Sequence, residues 1–201
     1  MESFKFPKIE KHSISSVEFD GNFNNPINNG GQANIYIGFK KGEINKKQYV
    51  IKQTRTDLGL DIRDEFFYMK NLKSPFIGEV IKIQKFKGKD CLVMKRYPIS
   101  LLNFIEKSKD DECDDVQRYN LQILLIIVGI FSSVHHLHVQ TIPYLHHDLN
   151  PKNIMLAIFE DDYYIPKLID FGLMKTNQDD TVLYGTPGYR CNGVYAELSD
   201  L

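Results

Sequence analysis

The chain has 201 residues, of which 42% are hydrophobic and 25% are charged. These proportions are typical of globular proteins and exclude a largely disordered chain. The 25 Lys and Arg nearly balance the 26 Asp and Glu, so net charge gives no reason to expect a nucleic-acid partner. Residues 1–100, however, carry 18 basic and 11 acidic residues, whereas residues 101–201 carry 7 and 15. This asymmetry indicates two parts with different surfaces.

The cysteines and the apolar stretches indicate the compartment. Cys91, Cys113 and Cys191 lie far apart and form no C-x-x-C pair, which predicts a reducing, cytoplasmic environment without disulfides or structural zinc. The first residues, MESFKFPKIEK, lack the apolar core of a secretory signal. Residues 123–131 form the longest apolar run, which is shorter than the ~20 residues needed to cross a bilayer. We therefore expect a buried helix there and no membrane span.

The first half of the chain reads mainly as strands. Residues 32–39 and 47–54 are rich in β-branched and aromatic side chains and predict an antiparallel hairpin. Residues 61–72 predict a helix, because the apolar positions 62, 66, 69 and 72 follow a helical period. Two further strands, 79–86 and 91–94, flank the turn KGKD.

The second half reads mainly as helix. A short helix is predicted over residues 101–106, and the acidic run 110–115 is a solvated loop or the start of the next helix. That next helix, over residues 116–138, has a broad apolar stripe formed by Leu121, Leu124, Leu125, Val128 and Phe131. Short strands follow around residues 154–156 and 167–169. The order predicts an α+β architecture with a seam near residues 95–100.

A glycine-bearing turn forms the first of three polar clusters. The stretch NNGGQANIYIG (28–38) precedes a predicted strand, and YVIK (49–52) lies on its partner. Glycines let backbone N–H groups approach a phosphate without an intervening Cβ, and Lys52 would add a positive charge there. A simple turn between strands explains the same residues.

Two clusters of oxygen-bearing side chains follow. In HHDLNPKN (146–153), Asp148 and Asn153 supply a carboxylate and an amide, in a segment that Pro151 keeps from forming a regular helix. Such groups orient a hydroxyl or bind Mg²⁺. In LIDFGL (168–173), Asp170 follows an apolar strand and precedes a glycine. A polar loop and an ordinary strand-end turn remain alternatives for these two segments.

In combination, the clusters are much more specific. A glycine turn, V-I-K, the helical Glu65, H-x-D-x-x-x-x-N, D-F-G and G-T-P-G-Y occur in this order, and the sequence resembles the eukaryotic-type protein kinases, more the Ser/Thr branch than the tyrosine branch. The resemblance runs from about residue 28 to about residue 190. It implies a small antiparallel β-sheet lobe with one helix, followed by an incomplete, mainly helical large lobe. We expect an N-terminal extension over residues 1–20, the small lobe over 21–95 and the partial large lobe over 96–201.

The resemblance also implies a role for each matching residue. Lys52 would hold the α- and β-phosphates of ATP, and Glu65 would be its ion-pair partner. Asp148 would orient the hydroxyl of a Ser or Thr in a protein substrate, while Asn153 and Asp170 would bind Mg²⁺. The remaining expected nucleotide contacts come from the glycine turn, the hinge and the walls of the adenine pocket: Asn28, Gly30, Gly31, Ala33, Ile35, Val50, Met94, Lys95, Tyr97 and Met155. Two apolar columns are also implied, one of Met69, Val80, His146 and Phe171, the other of Ile35, Val50 and Met155.

Several positions depart from the family pattern. Asn28 and Ala33 replace the first and third glycines of the phosphate turn, and His147 replaces the arginine before Asp148. Asn150 stands where a lysine is usual, which removes one cation near the γ-phosphate. After GTPGYR, Cys191, Asn192 and Gly193 stand where A-P-E is expected. We therefore expect a truncated kinase, completed by a further C-terminal segment or by a partner.

Two alternatives remain open. The first is a pseudokinase or truncated module that binds nucleotide or a partner without catalysis. The second is a small-molecule kinase of the aminoglycoside or choline type, because D-L-N-P-K-N resembles the D-L-H-P-x-N loop of those enzymes. The combination of D-F-G with G-T-P-G-Y argues against the second alternative, because those enzymes lack a peptide-docking activation segment.

Overall fold

A six-stranded antiparallel sheet is built from the first half of the chain. The computed structural model describes residues 17–29, 33–44, 46–54, 61–108, 115–176, 186 and 188–189. The strands pair in the order β1-β3-β4-β6-β5, and β2 lies beside β3. The predicted hairpin and the pair flanking KGKD are confirmed. The strand bounds are β1 Phe19–Gly21, β2 Asn28–Asn29, β3 Ala33–Lys40, β4 Tyr49–Thr54, β5 Val80–Phe86 and β6 Lys89–Lys95.

Helix α1, Ile62–Asn71, packs against β5 and β6. It begins at the N-cap Asp61, whose carboxylate accepts a hydrogen bond from Arg63 N at 2.8 Å. The sequence pattern predicted Phe66 on the buried face, and Phe66 does pack half-buried against the core, but the neighbouring Glu65, which the pattern does not mark, is more deeply buried. The difference arises because a charged side chain is buried when its charge is paired, a condition that hydrophobic periodicity does not register.

Three helical or turn segments and five short strands make up the second half. The three-stranded sheet has the order β10-β9-β7, and β8 pairs with β11. The two predicted helices and the strands around residues 154 and 167 are present, whereas β7, β8 and β11 have only two residues each and left no periodic signal. The bounds are β7 Ile99–Ser100, α2 Leu101–Lys107, α3 Val116–His138, β8 Tyr144–Leu145, β9 Ile154–Ile158, a 3-10 turn Glu160–Asp162, β10 Tyr164–Leu168 and β11 Lys175–Thr176.

One hydrophobic core joins the two halves. It runs from α1 and the inner face of the sheet to α3, β9 and β10, and its members include Met69, Val80, Leu92, Leu156 and Phe171. A smaller cluster on the other face of the sheet packs Phe19, Tyr36, Ile51, Phe86, Cys91 and Val93 together. The shared core holds the elements that bear the polar clusters in one rigid arrangement.

The packed face of α3 is not the predicted apolar stripe. Its buried residues are Gln122, Ile126, Gly129, Ser133 and Leu137. Gln122 bonds both backbone groups of Tyr164 on β10, with Nε2 donating to Tyr164 O at 2.8 Å and Oε1 accepting from Tyr164 N at 2.7 Å.

The expectation of a buried helix at residues 123–131 is therefore wrong for one face of the helix, whereas Ile126 and Gly129 on the other face are buried. The stripe residues Leu121, Leu124, Leu125, Val128 and Phe131 are exposed, Phe131 by 72%. Small and polar side chains form the packed face because α3 lies close to β10, an edge strand whose free backbone groups need hydrogen-bond partners. By length and composition alone, α3 could also cross a bilayer. A single helix of this kind is only weak evidence for a membrane span.

Gly129 allows the close approach of α3 to β10. A Cβ at this position would lie 2.4 Å from Cγ of Pro166 and 3.0 Å from Cδ1 of Phe76. We expect Gly129→Ala to lower the free energy of unfolding by about 1–3 kcal/mol, because the clash outweighs the better helix propensity of alanine. Urea denaturation measures the change. Ser132→Ala, in the next turn of the same helix, is the control and should change stability by about 0.5 kcal/mol or less. Equal or greater stability of the Gly129 variant would contradict this account of the packing.

Candidate active site

A buried ammonium group with two carboxylates forms the centre of the site. Nζ of Lys52, on β4, lies 2.7 and 2.8 Å from the two carboxylate oxygens of Glu65 on α1. The same nitrogen lies 2.6 Å from Oδ1 of Asp170, which follows β10. The structure thus brings together three of the predicted residues from distant parts of the chain.

Burial and mutual charge set the protonation of this group. Burial by itself lowers the pKa of Lys52, but the charges of Asp170 and Glu65 outweigh it and hold that pKa above its usual range. Burial raises the pKa of Glu65, despite the nearby Lys52. Burial raises the pKa of Asp170, but the positive charge of Lys52 outweighs this effect, so the pKa lies below its usual value. Lys52 therefore remains a cation throughout the neutral range.

The turn that carries Asp170 is held in an unusual backbone conformation. Asp170 has a φ of 64°, in the left-handed region. Leu168 N donates to Phe76 O and Gly78 N donates to Leu168 O, both at 2.8 Å, so the strand before the turn is fixed to the loop after α1. Phe171, directly after Asp170, is 1% exposed. These contacts compensate for the conformation of Asp170 and fix the direction of its side chain.

His146 connects the two acidic segments. Its Nδ1 accepts a hydrogen bond from Asp148 N at 3.3 Å, and its Nε2 lies 3.1 Å from the carbonyl oxygen of Ile169. Since Nδ1 accepts, Nε2 carries the proton and donates. The ring also packs edge-on against Phe171, with centroids 5.0 Å apart. Burial lowers the pKa of His146 to about 4, so the ring is neutral at pH 7.

The carboxylate of Asp148 receives several hydrogen bonds. Nδ2 of Asn153 donates to Oδ2 at 2.7 Å, and Oδ1 accepts from Thr186 N at 2.8 Å and from Thr186 Oγ1 at 2.6 Å. Nδ2 of Asn150 lies 3.1 Å from the same Oδ1 and 3.3 Å from Thr186 Oγ1. Neutral donors thus orient the carboxylate of Asp148.

Asn150 and Thr186 were not among the predicted catalytic or binding residues. Asn150 is 5% exposed, and its Oδ1 accepts from Lys152 N at 2.9 Å. The sequence identified Asn150 only as a replacement for lysine, and Thr186 only as part of the G-T-P-G-Y motif. Their contact joins positions 36 residues apart, so no local pattern could have predicted it.

The predicted nucleotide contacts line the sheet and the segment after β6. Ile35 pairs with Lys52 across β3 and β4, and Val50 pairs with Met94 across β4 and β6. Ile35, Val50 and Met155 are half-buried, whereas Met94 and Tyr97 are buried and Lys95 is exposed.

Four of the predicted contacts belong to the phosphate turn. Ala33 is buried at the start of β3, and Asn28 pairs with Ile35 through its backbone. Gly30 and Gly31 lie outside the described residues.

Comparison with known proteins identifies the family. The family model described as "protein kinase domain" matches residues 23–197. The chain belongs to the protein kinase family. The two-lobed α+β fold that the motifs implied is thereby confirmed.

Individual relatives are distant. The kinase domain is 23% identical over 184 residues to a receptor-like serine/threonine-protein kinase of Arabidopsis thaliana, covering 90% of this chain and 28% of the relative. A G-type lectin S-receptor-like serine/threonine-protein kinase of the same plant is 26% identical, with 96% and 24% covered. The protein kinase US3 homolog of Gallid herpesvirus 2 is 22% identical, with 72% and 33% covered. The chain thus spans a third or less of the length of these relatives.

His146 should make the stability of this kinase domain sensitive to acid. Its pKa is about 4 in the folded state against 6.5 ordinarily, so the unfolded chain binds more protons between these values and stability falls as the pH decreases through this window. We expect the wild type to lose about 2 kcal/mol more than His146→Gln between pH 6.5 and pH 4.5 in urea denaturation. The control is His138→Gln, which removes an exposed histidine of α3 and should keep the wild-type dependence. A His146 variant that follows the wild type would contradict the neutral, bridging ring.

Proposed function

We propose that this protein kinase domain transfers the γ-phosphoryl group of Mg²⁺-ATP to a Ser or Thr hydroxyl of a protein substrate. The observation that carries the proposal is the meeting of Lys52 with Asp170, next to a loop whose Asp148 carboxylate is oriented by neutral donors. The family match and the serine/threonine kinases among the relatives favour a protein substrate over a small alcohol.

The donor set fits a magnesium–nucleotide complex. Two carboxylates share the one ammonium of Lys52, so an additional cation is favourable beside Asp170. The side chain of Asp170 is 26% exposed and therefore accessible. The side-chain nitrogen of Asn153 donates to Asp148, which leaves its side-chain amide oxygen available as an acceptor. The backbone carbonyl of Asn153 accepts a hydrogen bond from Ile169 N at 2.9 Å. Carboxylate and amide oxygens are the ligands that Mg²⁺ prefers, and Asp170 and Asn153 would hold it.

The remaining side chains position the reacting groups. Bound Mg²⁺ would neutralise charge on the phosphates, and Lys52 would bind the α- and β-phosphates while Glu65 holds it in place. Asp148 would accept a hydrogen bond from the substrate hydroxyl and receive its proton as the phosphoryl group transfers. Because Asn153, Asn150 and Thr186 already fix its carboxylate, little reorganisation is needed at that step.

Removal of either acidic group should abolish transfer. We expect Asp148→Asn and Asp170→Asn each to lower the initial rate by about 100- to 1000-fold, because a preorganised charge at the reacting centre is lost. The measurement is transfer of labelled phosphate from ATP to a basic protein substrate. Asp162→Asn is a matched control, since Asp162 is exposed and has a φ of 61°, which asparagine tolerates. Equal transfer by the wild type and all three variants would exclude catalysis at this site.

The same preparations distinguish a binding module from an enzyme. Titration calorimetry with Mg²⁺-ATP measures nucleotide binding without any turnover. Binding by the wild type without transfer, and loss of that binding in Lys52→Ala, would assign the non-catalytic role. Asn150 favours this alternative, because it replaces the usual lysine and removes one cation near the γ-phosphate.

We also propose that the functional form covers the exposed face of α3. Seven large apolar residues of this helix are at least 36% exposed: Val116, Leu121, Leu124, Leu125, Ile127, Val128 and Phe131. Each forgoes about 1.5–3 kcal/mol of burial. A further helical segment of the same protein, or a partner that supplies one, would bury this face and stiffen the site, because Gln122 on α3 bonds to β10.

An uncovered apolar face should cause association of the 201-residue chain. We expect Val128→Ser with Phe131→Ser to reduce light scattering at matched concentration, because the exposed patch becomes smaller. The midpoint temperature of thermal unfolding should change by about 2 °C or less, because both side chains are already exposed to solvent. The buried Ile126→Ser is the control and should lower the midpoint clearly. A large loss of stability in the double variant would show that the face is already covered.

An intracellular location remains a proposal. It is supported by Cys91, a free and buried thiol whose pKa burial raises. Fractionation of cells that express the tagged protein tests it.

A further inference from the structure

A cavity lies beside the candidate active site. Its volume is about 550 Å³, and it is bounded by the end of α1, the loop 73–79, the segment after β6 and Lys167 of β10. Lys52, Asp148, Asn153 and Asp170 are not among the residues that line it, nor are Ile35, Val50 and Met155, although Lys95 and Tyr97, which were predicted to contact the nucleotide, are. The cavity is therefore separate from the phosphate and acceptor groups of the site, and it borders the predicted hinge. Such a volume accommodates a few side chains of a ligand.

The floor of the cavity is apolar and belongs to the protein core. Five of its residues, namely Met69, Leu72, Ile77, Val80 and Tyr97, are 4–6% exposed. The first four belong to the shared core, so they keep their positions whether or not the cavity is occupied.

The wall of the cavity is already fixed by hydrogen bonds. Glu79 N donates to the phenol oxygen of Tyr97 at 3.0 Å, and Lys95 N donates to Glu79 O at 2.9 Å. A Cβ at Gly78 would lie 2.7 Å from Cγ2 of Ile169, so the loop approaches the strand-end turn as closely as a glycine permits. Preformed walls lower the entropic cost of binding.

The rim is strongly basic. Lys70, Lys73, Lys95 and Lys167 line the cavity, against the single acidic residue Glu79. Glu79 approaches Lys95 at 3.8 Å with both side chains more than half exposed, which neutralises little charge. Burial lowers the pKa of Lys167, the positive charge of Lys95 lowers it further, and the negative charge of Glu79 opposes both effects. Lys167 Nζ also donates a hydrogen bond to the carbonyl oxygen of Pro75, which holds its ammonium group at the rim. An acidic group bound at the rim would offset the excess positive charge of the four lysines.

We propose that this cavity binds an acidic peptide segment that inserts one apolar side chain. The apolar floor would receive the inserted side chain, and the four lysines would pair with carboxylates on either side of it. An apolar centre within a polar, charged rim is the usual arrangement of a protein–peptide contact. The proposal does not depend on catalysis, because no residue of the phosphate or acceptor site takes part.

The position of the cavity gives its occupant a route to the active site. Met69 lies one helical turn after Glu65 on α1, and Lys167 precedes Asp170 by three residues. A peptide that touches both elements would stabilise their present arrangement, in which Glu65 and Asp170 both reach Lys52. Occupancy should therefore favour the assembled ion triad.

The test is a titration of the full 201-residue chain with an end-blocked peptide, Asp-Asp-Phe-Asp-Asp, followed by amide NMR. We expect saturable shifts confined to residues around the cavity, and affinity about fivefold or more weaker when the phenylalanine is replaced by alanine. Lys70→Glu with Lys73→Glu should weaken binding about tenfold, because rim charges contribute modestly and additively. The matched control, Lys85→Glu with Lys89→Glu, makes the same change in net charge at the far end of β5 and β6, and should weaken binding by about twofold or less.

Three results would overturn the proposal. The first is an equal loss of affinity in the two double variants, which would mean general attraction to the basic half of the chain. The second is the absence of a saturable shift at about 2 mM peptide, an affinity too weak for specific recognition. The third is binding to phosphatidylserine vesicles but not to the peptide, which would assign the rim to a membrane surface.

Discussion

The structure depends on one buried ammonium group. Lys52 is 5% exposed and bonds to carboxylates from two other segments, so β4, α1 and the turn after β10 meet at a single atom. A charge in the protein interior requires partners, and loss of one partner leaves an uncompensated charge that costs about 3–5 kcal/mol. The constraint is structural, and under the proposed function it is also chemical: the arrangement that satisfies the lysine would place it beside the phosphates of ATP.

Neutral groups organise the other half of the site. His146 holds the Asp148 segment to the Asp170 segment through its two ring nitrogens, and it does so as an uncharged ring because burial disfavours the imidazolium. The carboxylate of Asp148 is oriented by amides and a hydroxyl rather than by a cation. This geometry can orient a hydroxyl, but it offers less positive charge to a transferring phosphoryl group than a lysine at position 150 would.

The two exposed surfaces differ in chemistry and therefore in what they can bind. The face of α3 is apolar across several turns, and its contacts with β10 leave that side of the helix in solvent. The cavity beside α1 combines a small apolar floor with a basic rim. An apolar face is suited to a helix that completes the fold, whereas a basic rim selects a charged, separate ligand.

The sequence by itself determined the family, the main elements and five residues of the candidate site, namely Lys52, Glu65, Asp148, Asn153 and Asp170. Local patterns were sufficient because strands alternate, helices repeat and the motifs carry the functional residues at characteristic spacings. Short strands such as β8 and β11 escaped prediction, since two residues carry no period.

Only the tertiary structure decided which face of α3 is buried, that Thr186 and Asn150 meet at Asp148, and that four lysines surround an apolar cavity. Each of these depends on contacts between residues distant in the chain. Hydrophobic periodicity reports how apolar a helix face is, but the fit of Gly129 against Pro166 and the hydrogen bonds of Gln122 determine which face packs.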